Sequence, residues 1–221
     1  VLDKMGSGSL STVISGVDWC IQNQAQLNIN ILSLSLGSEA QQPAEDDPVV
    51  KAVEKAWDNG MVVCVAAGNS GPSQQTIASP GTSPKVITVG AANDFNTVDR
   101  SDDSIADFSS RGPTIDGLMK PDLVTPGVNI ISLRSPGSFL DKTNSSSRVD
   151  TNYFSLSGTS MATPICAGVV AQMLQINPNQ SPDHIKLQLI HACEDMGQAP
   201  YIQGNGYLDA ENIMNMEGRQ H

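Results

Sequence analysis

Ser160 lies within Ser157-Gly158-Thr159-Ser160-Met161-Ala162-Thr163-Pro164, which runs on into Ile165-Cys166-Ala167-Gly168. The stretch predicts a strand end, a Gly-Thr-Ser turn and a helix of small and apolar residues. A serine there stands at a helix's first turn, where unpaired backbone N–H groups and the positive dipole end favour nearby negative charge. An acyl-transfer nucleophile needs this environment, because an oxyanion develops beside it. A lone Gly-Thr-Ser would read better as an N-cap with proline in the next turn.

A second stretch, Val65-Ala66-Ala67-Gly68-Asn69, ends an apolar run with an asparagine among small residues. At the C-terminal end of a buried strand, such a side chain can aim its NH2 group into a ligand site of an open α/β sheet. Taken alone, Asn69-Ser70-Gly71 serves equally well as a turn.

Together the two stretches carry a resemblance. Gly158-Thr159-Ser160-Met161-Ala162-Thr163-Pro164 is similar to the nucleophile segment of the subtilisin-like serine proteases, or subtilases (peptidase family S8). Ala66-Ala67-Gly68-Asn69 resembles the segment whose asparagine completes their oxyanion hole. The resemblance implies Ser160 as nucleophile, with Asn69 and the Ser160 N–H as oxyanion donors. It also implies that Gly6, Ser7 and Gly8, and Ser35, Leu36 and Gly37, pair with a substrate backbone as neighbouring strands. By the same mapping Leu10, Val13 and Leu36 line an apolar pocket several residues upstream of the cut. Ser35 to Gly37, Ala66, Ala67, Gly68, Asn69 and Ala78 wall the pocket next to it, which is expected to be roomy and uncharged at its base. Phe108 to Pro113 and Lys120 to Val128 resemble two further signatures, read as scaffold. Ser79-Pro80-Gly81 resembles a turn that often holds a cis peptide, and with Asp94 it is a candidate for a weak cation site.

The elements that would position these residues are legible as periodicities. Ser9 or Ser11 caps a helix to about Asn23, with Leu10, Val13, Ile14, Val17 and Ile21 on one face. Ile29–Leu36, Met61–Ala67 and Val86–Ala91 are apolar with little alternation, as strands buried on both faces are. A helix from Pro48 to Asn59 separates the first two. This order predicts an α/β fold, a parallel sheet flanked by helices. From Phe95 to Val149 the chain reads as loop-rich, with strand-like pieces near Ile105–Ser109 and Val128–Ser132. After the Ser160 helix come one from Ser181-Pro182 to about Cys193 and a short one from Ala210 to Met216.

Composition narrows the function. The 221 residues carry 12 Lys and Arg against 23 Asp and Glu, a net charge of −11. That argues against nucleic acid and anionic membrane surfaces as partners. No apolar run reads as a membrane span, and no zinc-ligand spacing is present, so no metal centre is expected. Cys20, Cys64, Cys166 and Cys193 are far apart in sequence and read as free thiols of a reducing compartment. Trp19–Gln22, Val63–Pro72 and Ala162–Gly168 most resemble a bacterial branch, the AprX-like intracellular serine proteases. A cytoplasmic enzyme is therefore expected, with secretion as the alternative.

A serine nucleophile needs a base, and the base an orienting carboxylate. The histidines are His184, His191 and His221, none in the family's His-Gly-Thr-His context. Subtilases order their triad Asp, His, Ser. The resemblance therefore implies that Asp and His precede Val1. Residues 1–221 are then the C-terminal portion of one catalytic domain, with early strands missing and the fragment alone inactive. An exposed Ile29–Leu36 edge would favour self-association, as a homo-oligomer, or retention of the upstream part. The expected function is a serine endopeptidase acting on polypeptides. The rivals are a pseudoprotease that binds or regulates, and an esterase, for which the G-x-S-x-G elbow is absent.

Overall fold

A computed structural model describes residues 1–218, with the backbone alone for Met216 to Gly218; His221 lies outside the described residues. Ser9 caps α1 (Leu10–Leu27) through its Oγ, which accepts from Thr12 N, and Asn28 closes the helix in the left-handed region. The helix thus runs one turn past the Asn23 limit read from the sequence. Next comes β1 (Ile31–Leu34). Helix α2 (Pro48–Asp58) follows, with proline in its first turn and the Asp47 carboxylate accepting from Val49 N and Val50 N. The strands β2 (Val62–Ala66) and β3 (Ile87–Asn93) are the apolar runs, and every residue of β2 is buried.

Short strands β4 (Ser104–Ile105), β5 (Leu123–Pro126) and β6 (Ile130–Leu133) come next, then helix α3 (Phe139–Thr143) and β7 (Tyr153–Leu156). The chain ends with α4 (Thr159–Ile176), α5 (Pro182–His191), β8 (Cys193–Glu194), α6 (Pro200–Gln203), β9 (Tyr207–Leu208) and α7 (Ala210–Gly218).

The main sheet has the order β1-β2-β3-β5-β9-β8, with β4 pairing β3 off this path. The pairs from β1 through to β9 are parallel, and β8 and β4 pair antiparallel to β9 and β3. Within the sheet β1 is an edge strand paired to β2 alone. The strand β5 corrects the loop reading of Lys120 to Val128, because Leu123-Val124-Thr125-Pro126 lies beside β3 near the sheet's centre. A proline two residues before it, another as its last residue and one preceding aspartate hid a four-residue strand whose first three residues are buried.

Helix α4 crosses β1, β2, β3 and β5. Its 18 residues are apolar enough to match a bilayer by length and composition, which the sequence reading did not expect. Here those side chains pack on the sheet: Ala162, Cys166, Val170 and Met173 are fully buried. Cys64 on β2 faces Cys166, the sulfurs 4.0 Å apart, and all four cysteines are free. Thr125 Oγ1 donates to the Ala162 carbonyl at 2.7 Å, and Gly158 N donates to Gly127 O at 2.8 Å. A Cβ on Gly127 would stand 2.6 Å from Ala91 Cβ on β3, 3.0 Å from Gly158 O and 3.3 Å from Ala162 Cβ, so glycine is what lets α4 start this close to the sheet.

Beneath the other end of β3 lies a buried charge cluster. Asp122 accepts from Lys120 Nζ at 2.6 Å and pairs with Lys186 Nζ at 3.2 Å, while Thr88 N donates to it at 2.7 Å. Lys120 is 2% exposed, and burial pushes its ammonium down to about 8.

Candidate active site

The parallel register between β1 and β2 sets Leu34 opposite Val65, so the segments leaving both strands emerge side by side. One is Ser35-Leu36-Gly37 and the other Ala67-Gly68-Asn69. Gly68 makes the turn that presents Asn69: its φ is +108°, and a Cβ there would meet Ser110 Oγ at 2.7 Å. Only glycine adopts that backbone without strain.

Ser160 sits in the first turn of α4, half-buried, next to both segments. Asn69 Oδ1 accepts from Thr159 N at 2.9 Å and from Thr159 Oγ1 at 3.0 Å. Gly68 N in turn donates to Thr159 Oγ1 at 3.2 Å. With its oxygen so engaged, the asparagine's NH2 is left for a ligand. Met161 N and Ala162 N both reach the Gly158 carbonyl, and Thr159 N reaches Asn69, so the Ser160 N–H is left as well. Both donors lie at the N-terminal end of an 18-residue helix, Asn69 Nδ2 3.4 Å and Ser160 N 3.7 Å from the position a Cβ on Gly158 would take.

The hydroxyl of Ser160 donates to the Ser35 carbonyl at 3.2 Å, and Ser35 Oγ donates to the Ser160 carbonyl at 2.7 Å. His184 and His191 lie on α5, both exposed.

A cleft of about 480 Å³ opens beside Ser160. Of the residues named from sequence, Ser35, Leu36, Gly37, Ala66, Gly68, Asn69 and Ala78 line it. Ala67 does not: it is fully buried, its N–H donating to Val89 O and its carbonyl accepting from Ala78 N. The lining also holds Gln75, Thr76, Ile77, Thr114, Ile115 and the exposed residue Glu39. Sequence reasoning missed these residues because none stands in a motif. Thr159 is different: it lies inside the octet, and its hydroxyl was the overlooked signal.

A second cleft of about 330 Å³ brings Gly6, Ser7, Gly8, Leu10 and Val13 together with Ser35, Leu36 and Gly37. Val13 is buried, whereas Leu10 is 50% exposed. Ser79-Pro80 is a cis peptide and also borders this cleft. Asp94 Oδ1 accepts from Asn96 N in its own turn. Among the described residues no three His, Cys, Asp or Glu side chains gather as a metal-holding group.

Between β6 and β7 the chain makes a structured excursion. Asp141 is its hub, accepting from Arg134 Nη2 at 2.9 Å, Arg148 Nε at 2.7 Å and Gly137 N at 2.8 Å. The Arg134 guanidinium first, and then the Gly137 N–H, hold this carboxyl well below the usual carboxylate range.

Comparison with known proteins bears on the family and the fold. The chain is 56% identical over 218 residues to serine protease AprX of Bacillus subtilis (strain 168), covering 96% of this chain and 49% of that protein. It is 32% identical to subtilisin DY of Bacillus licheniformis, covering 65% of it. The chain therefore spans about half to two thirds of the length of these relatives. Among solved structures, sphericase superposes with a TM-score of 0.75 at 28% identity, over 94% of this chain and 66% of its own. The S41 psychrophilic protease superposes at 0.73 and 26%, over 95% and 66%. With residues 1–206 matching the Subtilase family (peptidase S8) along nearly the whole sequence, the chain belongs to the subtilases.

Proposed function

We propose that this chain is the nucleophile- and oxyanion-bearing part of a serine endopeptidase. The observation that carries the reading is the fixed Asn69 amide beside the Ser160 N–H, above a cleft built from two strand ends. Ser160 Oγ attacks the scissile carbonyl, and the tetrahedral oxyanion is held by Asn69 Nδ2 and the Ser160 N–H. An imidazole must take the serine proton and return it to the leaving amine, and a carboxylate must orient that imidazole. We assign both to a segment preceding Val1. Without it the Ser160 hydroxyl stays on the Ser35 carbonyl, and the 221-residue chain alone turns over no peptide.

The substrate is an extended polypeptide whose backbone pairs with Ser35–Gly37 and Gly6–Gly8, an edge-strand mode of recognition. Asp94 remains our candidate for a weak cation site. Four free cysteines, two of them fully buried, support a reducing, cytoplasmic setting.

A fluorophosphonate probe tests the reading, applied to this chain and to the protein that carries the preceding segment, each beside Ser160→Ala. Labelling of the longer protein alone, abolished by Ser160→Ala, is the expected result. Labelling of the 221-residue chain would place the base within it. No labelling of a folded longer protein would replace the endopeptidase with a pseudoprotease that binds or regulates.

A further inference from the structure

Pro164 lies inside α4, one turn after Ser160. A proline nitrogen carries no hydrogen, so the Ser160 carbonyl lacks the donor four residues on that a helix normally supplies. Ser35 Oγ stands in that place, donating to this carbonyl at 2.7 Å. The two serines are coupled in both directions, because Ser160 Oγ donates to Ser35 O at 3.2 Å. A side chain at the end of the edge strand thus completes the helix at the residue whose hydroxyl would react.

We propose that Ser35 is a positioning residue for Ser160: its hydroxyl replaces the N–H that Pro164 lacks and holds the first turn of α4 to the end of β1. The consequence for turnover rests on the endopeptidase reading; the hydrogen-bond replacement belongs to the fold. Ser35 also lines the cleft, and a wall residue and a positioning residue differ in what their loss changes. Removing a wall contact raises KM. Removing an aiming contact lowers kcat and leaves KM in place.

The test has two arms. Ser160-Met161 is the one Ser-Met pair in the sequence, so carbon-13 carbonyl serine with nitrogen-15 methionine gives one resonance reporting the Ser160 carbonyl. In the 221-residue chain, Ser35→Ala is expected to move that carbonyl upfield. Adding Pro164→Ala is expected to bring it back, because an alanine in the proline's place supplies the missing N–H. In the active protein, Ser35→Ala is expected to lower kcat about threefold to tenfold with KM unchanged, the worth of one hydrogen bond. Ser35→Thr or the added Pro164→Ala is expected to recover it. A carbonyl indifferent to Ser35→Ala, a change confined to KM, or no recovery by Pro164→Ala would overturn the proposal. An inactive parent protein with the carbonyl response intact would reject the endopeptidase reading and support the contact.

Discussion

Asn69 Oδ1 receives both the N–H and the hydroxyl of Thr159, at 2.9 and 3.0 Å. One threonine therefore decides which way the amide faces, and its own hydroxyl is oriented by Gly68 N–H. Asn69→Ala is expected to reduce kcat of the active protein about a hundred- to a thousand-fold; that magnitude comes from a related subtilisin. Thr159→Val keeps the volume and removes the orienting hydroxyl. Its expected loss is about tenfold, one hydrogen bond's worth. Steady-state kinetics on a peptide substrate check both, and a Thr159→Val enzyme with unchanged kcat would show that the N–H alone suffices.

Gly68→Ala should destabilise the chain by about 1–3 kcal/mol, because alanine is strained at φ +108° and its Cβ meets Ser110 Oγ at 2.7 Å. Urea unfolding measures the loss. A midpoint equal to that of the parent would mean that the 68–69 turn relaxes freely.

Asp141 carries a pH prediction. Its folded carboxyl is held below the ordinary value of 3.8 by Arg134, the Gly137 N–H and Arg148. A group depressed on folding stabilises above its unfolded value and loses that contribution as pH falls towards the folded one. The stability gap between the parent and Asp141→Asn should therefore be full at pH 6 and shrink below about pH 4. Denaturant midpoints across that range provide the check, and a gap independent of pH would exclude the ionised carboxylate as its source.

Lys120 runs the other way. Burial lowers its pKa to about 8, so between 8 and its ordinary 10.5 the unfolded chain binds more protons than the folded one. The Lys120-dependent part of stability accordingly rises with pH across that window, read as parent against Lys120→Met. Removing Asp122 instead strands two ammonium groups, and Asp122→Ala is expected to cost about 3–5 kcal/mol at neutral pH. A near-neutral Asp122→Ala in the same urea assay would show that the carbonyls of Pro84, Lys85 and Val86 around Lys186 suffice.

The free side of β1 should make the chain self-associate, or hold a preceding segment, because an unpaired apolar strand invites another. Sedimentation velocity is expected to show species larger than one chain, reduced by Ser33→Lys at an exposed edge position. A stable monomer at all concentrations would contradict it.

Much of this was legible in the sequence, for physical reasons. Buried parallel strands such as Val62–Ala66 announce themselves as unbroken apolar runs, and Ser9 and Pro48 mark their helix starts. Leu123–Pro126 escaped because a four-residue strand that ends in a proline carries too little pattern, although the sheet's register makes it central. At the site, Ser160 and Asn69 were visible in motifs. Ser35's partnership with the Ser160 carbonyl was not, since it depends on what a proline far along the chain cannot donate. Glu39 and Thr114 reach the cleft only through the course of loops.

Ser35 and Ser160 touch across 125 positions, and Asn69 and Thr159 across 90. Contacts so distant along the chain form late and slowly, since each must first close a long loop. The cleft thus depends on the whole span of chain from Ser35 to Ser160 being in place. The paired walls of this cleft can exist only once the sheet that joins them has closed.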